Sequence, residues 1–248
     1  NLVLARMAEA GAITHTERDS LSALPITLNY RPVSHNDGQA TYFREMLRQV
    51  MNARPPKRRN FYTEWDYEQA VKEYENNPIY GWCHKNTKAD GTPYNIYKDG
   101  LKIYTTINST MQQYAEEAML KQLRTVIQPK MDAQYRSTKV LFQNTSAEER
   151  EKIVRQAMRY SDRYRALKEE GRSEAEIDRI FRTPCPTRVF TYRGERDTIL
   201  SPRDSILHHK RIMRAGFVAI EPQTGRVKAY VGGPNFRYFK YDMAKQGK

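Results

Sequence analysis

Cysteine is nearly missing from this chain, with Cys83 and Cys185 the two examples among 248 residues. Two are too few for a disulfide framework, and they lack the C-x-x-C spacing of a zinc or redox site. Unpaired small core residues are the first reading of them, with one disulfide as the alternative. No run of about 18 apolar residues occurs, so no segment reads as a membrane span. The chain starts at Asn1 without an initiator Met or a signal-peptide apolar region, and is read as an excised piece of something longer. Internal repeats and low-complexity tracts are missing too, which sets aside solenoids and disordered tails. Acidic residues are outnumbered: 29 Asp and Glu against 42 Lys and Arg leave a formal charge of +13. That excess favours anionic partners without choosing among nucleic acid, lipid headgroups and acidic polymers.

The chemistry of common active sites is also missing. A serine acyl-transfer centre of the S-x-x-K type needs a lysine one helical turn from the nucleophile, and that spacing occurs nowhere. Ser34-His35-Asn36 has the form S-x-N, but no nucleophile precedes it, and it is read as chance. Gly232-Gly233 is followed by Pro234 and no helix-opening glycine pattern, so it does not read as a phosphate cradle. The pairs Glu116-Glu117, Glu148-Glu149 and Glu169-Glu170 sit beside Lys or Arg on expected helices and read as solvated faces. His208 and His209 are adjacent and would point to different sides of any regular element, which argues against a metal site. No catalytic, cofactor-binding or metal-ligating residue is nominated.

What is present is a mixture of helix and strand signals. With 39% hydrophobic and 11% aromatic residues the chain can build cores. A mean hydropathy of -0.85 points to several small ones. A helical hairpin is expected over residues 2–24, with Val3, Met7 and Ala10 apolar, Gly11 as a stop and Thr14 to Glu17 as a capping box. Residues 39–53 place Tyr42, Phe43, Met46, Leu47, Val50 and Met51 on one helical stripe. Pro55 and Pro56, amid four cations between Arg54 and Arg59, mark a connector or an anion-contacting loop. Residues 64–75 read as a helix burying Trp65, Ala70, Val71 and Tyr74, and 85–94 as a polar loop turning at Asp90-Gly91.

Residues 101–107 alternate and are rich in β-branched and aromatic side chains, so a strand is expected there. A helix should follow from Ser109, with Met111, Ala115, Ala118, Met119, Leu123 and Val126 inward. Capping boxes at Ser146 to Glu149 and Ser173 to Glu176 frame helices over 146–169 and 173–181. Thr187 to Tyr192 reads as a strand, and Ser201-Pro202 as the start of a helix stopping at Gly216. Phe217 to Ile220 and Arg226 to Val231 read as a β-hairpin turning at Pro222 to Gly225. The expected fold class is α+β: several helices with a small, mostly antiparallel sheet in an extended, multi-lobed arrangement.

The run Gly216-Phe217-Val218-Ala219-Ile220-Glu221-Pro222-Gln223-Thr224-Gly225-Arg226-Val227-Lys228-Ala229-Tyr230-Val231-Gly232-Gly233, continuing through Asn235-Phe236, Tyr241-Asp242 and Gln246-Gly247-Lys248, closely resembles the opening of class A penicillin-binding protein transpeptidase domains. Leu4-Ala5-Arg6-Met7, Gly11, Ile13-Thr14 and Glu17 are similar to the last helices of the family 51 glycosyltransferase domain. Ile103 to Asn108, Met111-Gln112 and Ala115-Glu116 look like the interdomain strand and helix of the same proteins. Residues 128–200 match no pattern of that family and read as a helical insertion in the linker.

The resemblance implies three regions: 1–30 as the C-terminal helices of the glycosyltransferase domain, 31–215 as interdomain linker, and 216–248 as the first hairpin of the transpeptidase domain. It implies that the intact protein polymerises a lipid-linked precursor and cross-links peptidoglycan stem peptides through a penicillin-sensitive serine. It also implies a place at the outer face of the cytoplasmic membrane, with the transmembrane anchor, the glycosyltransferase glutamates and the nucleophile outside residues 1–248. The fragment alone would be non-catalytic and without cofactor, a spacer whose basic surface meets anionic lipid or wall polymer. A rival reading is a basic adaptor for nucleic acid or a membrane surface; the dispersed cations and the lack of any nucleic-acid motif among aromatics such as Phe236, Tyr238, Phe239 and Tyr241 count against nucleic acid.

Overall fold

The computed structural model describes residues 2–25, 35–142 and 144–247, so Ser34 of the S-x-N triplet and Lys248 lie outside the described residues. The chain divides into two compact units, residues 1–34 and 35–248.

In the first unit, α1 (Leu2–Glu9) and α2 (His15–Ser22) pack on each other. Gly11 takes a left-handed φ of 72°. There its N–H reaches Ala8 O and the Ala12 N–H reaches Met7 O, which satisfies carbonyls of the ending helix. The Thr14 capping box forms in full, and its two hydrogen bonds onto Glu17 lower that carboxyl's pKa. The expected apolar face does not form: Val3, Met7 and Ala10 are exposed and Ala8 is the buried residue. Two eight-residue helices can cover only a narrow stripe of each other.

The second unit opens with α3 (Thr41–Met51), whose stripe runs as its periodicity requires, Tyr42 and Met51 being buried. After the cationic connector, which holds a single 3-10 turn at Arg58–Asn60, α4 (Glu64–Asn76) starts from a Thr63 cap. This helix buries nothing fully, and Trp65 is 68% exposed, against expectation. The short α5 (Trp82–Lys85) is tied to α3 by Gly81 N–H to Val50 O at 2.9 Å. A side chain at Gly81 would strike the Tyr74 ring and Ala53 O at 2.6 and 2.8 Å, so only glycine lets these segments meet. Asp90-Gly91 makes the expected turn, with Thr92 N–H bonded to Asp90 Oδ1.

Residues 101–107 are not a strand. A single backbone hydrogen bond, Asn108 N–H to Lys228 O, and the Thr106 hydroxyl on Val227 O are what this stretch offers a neighbouring strand, too few to make a ladder. From an Asn108 cap, α6 (Ser109–Gln122) runs through a π-helical turn at Leu123–Ile127 into α7 (Gln128–Thr138). Pro129 explains the turn: it has no N–H for Thr125 O and its ring crowds that carbonyl, and a widened turn relieves both. The inward face also differs from expectation. Met111 and Ala118 are exposed while Gln112 is fully buried and Leu123 nearly so.

Three capped helices come next: α8 (Ala147–Arg159), α9 (Asp162–Glu169) and α10 (Glu174–Arg182). Both expected capping boxes form; the expected 146–169 helix is broken because Ser161 caps a new one. The strand β1 (Cys185–Thr191) pairs antiparallel with β2 (Gly194–Leu200), Val189 opposite Arg196. Beyond them α11 (Pro202–Arg211) lies against β1, α8 and α10, and with them encloses a core of Val154, Met158, Ile177 and Phe181 flanked by Ile206 and Leu207. It ends at Arg211, with Ile212 as its extended C-cap, rather than at Gly216, because Met213 is diverted: its N–H donates to Gln128 Oε1 at 2.9 Å and its carbonyl accepts from the Tyr192 hydroxyl. The hairpin β3 (Phe217–Ile220) and β4 (Val227–Val231) forms as expected, and α12 (Met243–Gln246) closes the described chain. The class is α+β, with two separate two-stranded antiparallel sheets among the described residues.

Candidate functional site: the joint beneath the terminal hairpin

A dense set of polar contacts forms a joint where α3 and α6 hold the β3–β4 hairpin. In an antiparallel pair, alternate residues of a strand turn their N–H and C=O away from the partner. On β4 those are Lys228 and Tyr230. Lys228 O is taken by Asn108 N–H at 2.9 Å. Tyr230 N–H donates to Gln112 Oε1 at 2.7 Å and Tyr230 O accepts from Gln112 Nε2 at 2.9 Å. The glutamine amide thus pairs with the strand as another strand's peptide group would. Glu116 fixes its orientation by accepting from the same Nε2 at 2.7 Å, and also receives the Ala40 N–H at the start of α3.

Tyr42 of α3 forms the other wall. Its ring meets Phe236 edge-on at 5.0 Å and its hydroxyl donates to Phe239 O at 2.6 Å. Burial raises the Tyr42 pKa beyond the ordinary phenol value. Gly232 and Gly233 lie directly against this ring; a Cβ on Gly232 would sit 2.6 Å from Tyr42 Cδ1, and one on Gly233 would collide with the hydroxyl. The glycine pair therefore makes room for an aromatic ring, not for a phosphate. Asp242 accepts the Tyr230 hydroxyl at 2.7 Å and caps α12. Beside the joint lies an apolar groove of about 470 Å³, lined by Phe43, Leu47, Ile96, Ile103 and Ile107, with the Glu45–Arg48 ion pair among its lining residues.

Residues with possible chemistry are engaged structurally. His209 donates from Nδ1 to Ser205 O at 2.8 Å and accepts the Phe190 N–H at Nε2, at 3.3 Å, while His208 Nε2 meets Phe190 O at 2.8 Å. The two histidines thus bind α11 to β1. Glu149 serves its capping box, and Glu117 accepts from Gln113. Serine and threonine hydroxyls that meet carboxylates at Thr14, Thr63, Ser173 and Ser201 are helix caps. Phe236 and Phe239 are buried, so they offer no stacking surface. Cys83 is buried, Cys185 half-buried, and both are free thiols. Among the described residues no three His, Cys, Asp or Glu side chains gather as metal ligands. The arrangement holds and orients.

Sequence reasoning missed the residues that do most of the holding. Gln112 and Gln128 stand on helices where a polar residue usually marks the solvent face, yet each reaches the backbone of a segment more than 80 residues away. Strand β2 escapes it too, though Arg193-Gly194 after an expected strand is a turn signal.

Neither the search of curated proteins nor that of solved structures returned a match. The scan against family models matched residues 137–213, from the end of α7 through the capped lobe and the first hairpin to the end of α11, to the penicillin-binding protein middle domain, which corrects the reading of residues 128–200 as matching no pattern of that family. That match supports a penicillin-binding protein family for this chain.

Proposed function

We propose that residues 1–248 are the stretch of a class A, bifunctional penicillin-binding protein between its glycosyltransferase and transpeptidase centres, a non-catalytic spacer that sets how the transpeptidase domain is carried. The observation that supports this reading most is the middle-domain match over residues 137–213, flanked by the stretches whose sequences resemble the end of one catalytic domain and the start of the other. The joint adds a physical rationale: Gln112 and Tyr42 grip β4 and the segment leading to α12 through buried hydrogen bonds, and Asn108 adds a further one to β4 from an exposed position, a connection suited to transmitting orientation. On this reading the intact protein acts at the outer face of the cytoplasmic membrane on lipid-linked precursor and peptidoglycan.

Fluorescent penicillin tests the assignment. The intact protein is expected to be labelled at a serine outside residues 1–248, and labelling of this chain itself would overturn the reading. The spacer role is tested by replacing residues 137–213 with a flexible glycine-serine segment in the intact protein. Glycan polymerisation and penicillin acylation should each persist while the fraction of cross-linked product falls; unchanged cross-linking would show that spacing is not its task.

A further inference from the structure

Away from the joint, two clefts of about 650 and 590 Å³ lie on α11 and share Arg196, His208 and Arg211 among their linings. They form one trough with α7 among its linings on one side and β2 on the other. Its charge is one-sided. Arg124, Arg136, Arg193 and Arg196 contribute to the first cleft, and Lys139, Arg150 and Arg203 to the second.

The four acids that line the trough are already used. Asp132 accepts from Gln128 and lies 3.5 Å from Arg211. Glu151 is held by Arg203 at 2.5 Å, Glu195 by Arg237 and Arg188, and Asp204 accepts the Ser201 hydroxyl. By contrast, Arg124, Arg136, Arg193 and Arg196 make no ion pair among the described residues. Arg211 Nε is buried 3.5 Å from Asp132 Oδ1, and Arg203, whose Nε is buried without a hydrogen-bond partner, spends its terminal nitrogen on Glu151. Lining guanidinium groups without a carboxylate partner are open to the oxygens of an oxyanion, which they bind by charge-assisted hydrogen bonds.

We propose that this trough is a binding site for a linear, phosphate-bearing polyanion. A chain rather than one ion fits two adjoining cavities whose cations are spread along both. A flat bilayer does not enter a concave cleft. Nucleobases would need free ring faces, and Arg211 already covers the Tyr135 ring at 4.6 Å. The site stands independently of the spacer reading.

The test is calorimetric titration of the full chain with tripolyphosphate. One saturable site is expected, weakening roughly tenfold or more as salt rises from about 50 to about 200 mM. Arg136→Glu and Arg196→Glu remove cations that hold no structural partner, and each should cost about tenfold in affinity, while Lys57→Glu and Arg59→Glu, with the same change in charge, should leave it within about twofold. Unaltered thermal melts confirm that the variants fold. Equal losses in all four variants would reduce the effect to net charge and overturn the site. Tighter binding of oligothymidylate than of tripolyphosphate would transfer the trough to nucleic acid. Binding to phosphatidylglycerol vesicles that the two trough variants abolish, without tripolyphosphate binding, would transfer it to a lipid surface.

Discussion

Gln112 carries an unusual burden for one side chain, since both hydrogen-bonding groups of Tyr230 depend on it inside the core. Leucine would fill much the same volume but leave a buried N–H and C=O unmatched. Gln112→Leu should therefore destabilise the chain by roughly 2–4 kcal/mol, seen as a lower denaturant midpoint at unchanged slope. His209 gives a second residue-scale expectation. Burial first, then the neighbouring His208, holds its pKa below the ordinary 6.5, partly opposed by the bond to Ser205. The unfolded chain consequently takes up a proton near that ordinary value while the folded chain withholds it. The associated stability is full above pH 6.5 and is lost as pH falls through the folded value. Melting temperatures between pH 7 and 5 should fall more steeply for the native chain than for His209→Gln; equal slopes would dismiss this histidine as the source.

At the scale of elements, what was legible in the sequence was what local chemistry decides. Thr14, Ser146 and Ser173 each announced a capping box, Pro222 to Gly225 announced the hairpin turn, and the stripe from Tyr42 to Met51 announced a buried helix face. What was not legible depended on contacts far along the chain. Residues 101–107 have the composition of a strand, yet the edge they approach on β4 is already taken by Gln112. Trp65 sits at a helical core position on a helix that has little to pack against. Nothing local to Pro129 announces that a π turn carries the helix past it. Within the capped lobe the same distinction between local and distant contacts sets magnitudes. Ser173→Ala should cost about 1 kcal/mol, the loss of one cap. Phe181→Ala should cost about 3–5 kcal/mol, because Phe181 is 1% exposed at the centre of the lobe's core. Similar losses for the two would mean the lobe is held by its helices' own propensities rather than by packing.

Across the larger unit, apolar burial is distributed over three small clusters: the capped lobe around Phe181, the joint around Tyr42, Tyr230 and Phe236, and a third of Phe190, Ile212 and Phe239. Small cores of this kind open separately more readily than one deep core. Hydrogen exchange on Phe181→Ala should show lost protection over residues 147–182 while the Tyr230 amide, held by Gln112, keeps its own; uniform loss would show one cooperative core. The distribution also explains how a chain of this composition folds at all: polar residues such as Gln112 and Gln128 secure the segments between clusters where apolar area is scarce.

Because Lys228 O and both outward groups of Tyr230 on β4 are spoken for, the terminal hairpin is open to extension chiefly in one direction. Its other margin, β3, pairs with β4 alone among the described residues and shows Phe217, Val218 and Ile220 to solvent. Any further strand docks chiefly on that side, so Gln112 in effect decides the order in which a larger sheet could be assembled. In the isolated chain the same margin is a template for a second molecule. Sedimentation should reveal concentration-dependent pairing that Val218→Lys suppresses and Leu2→Lys, at another exposed apolar position, does not.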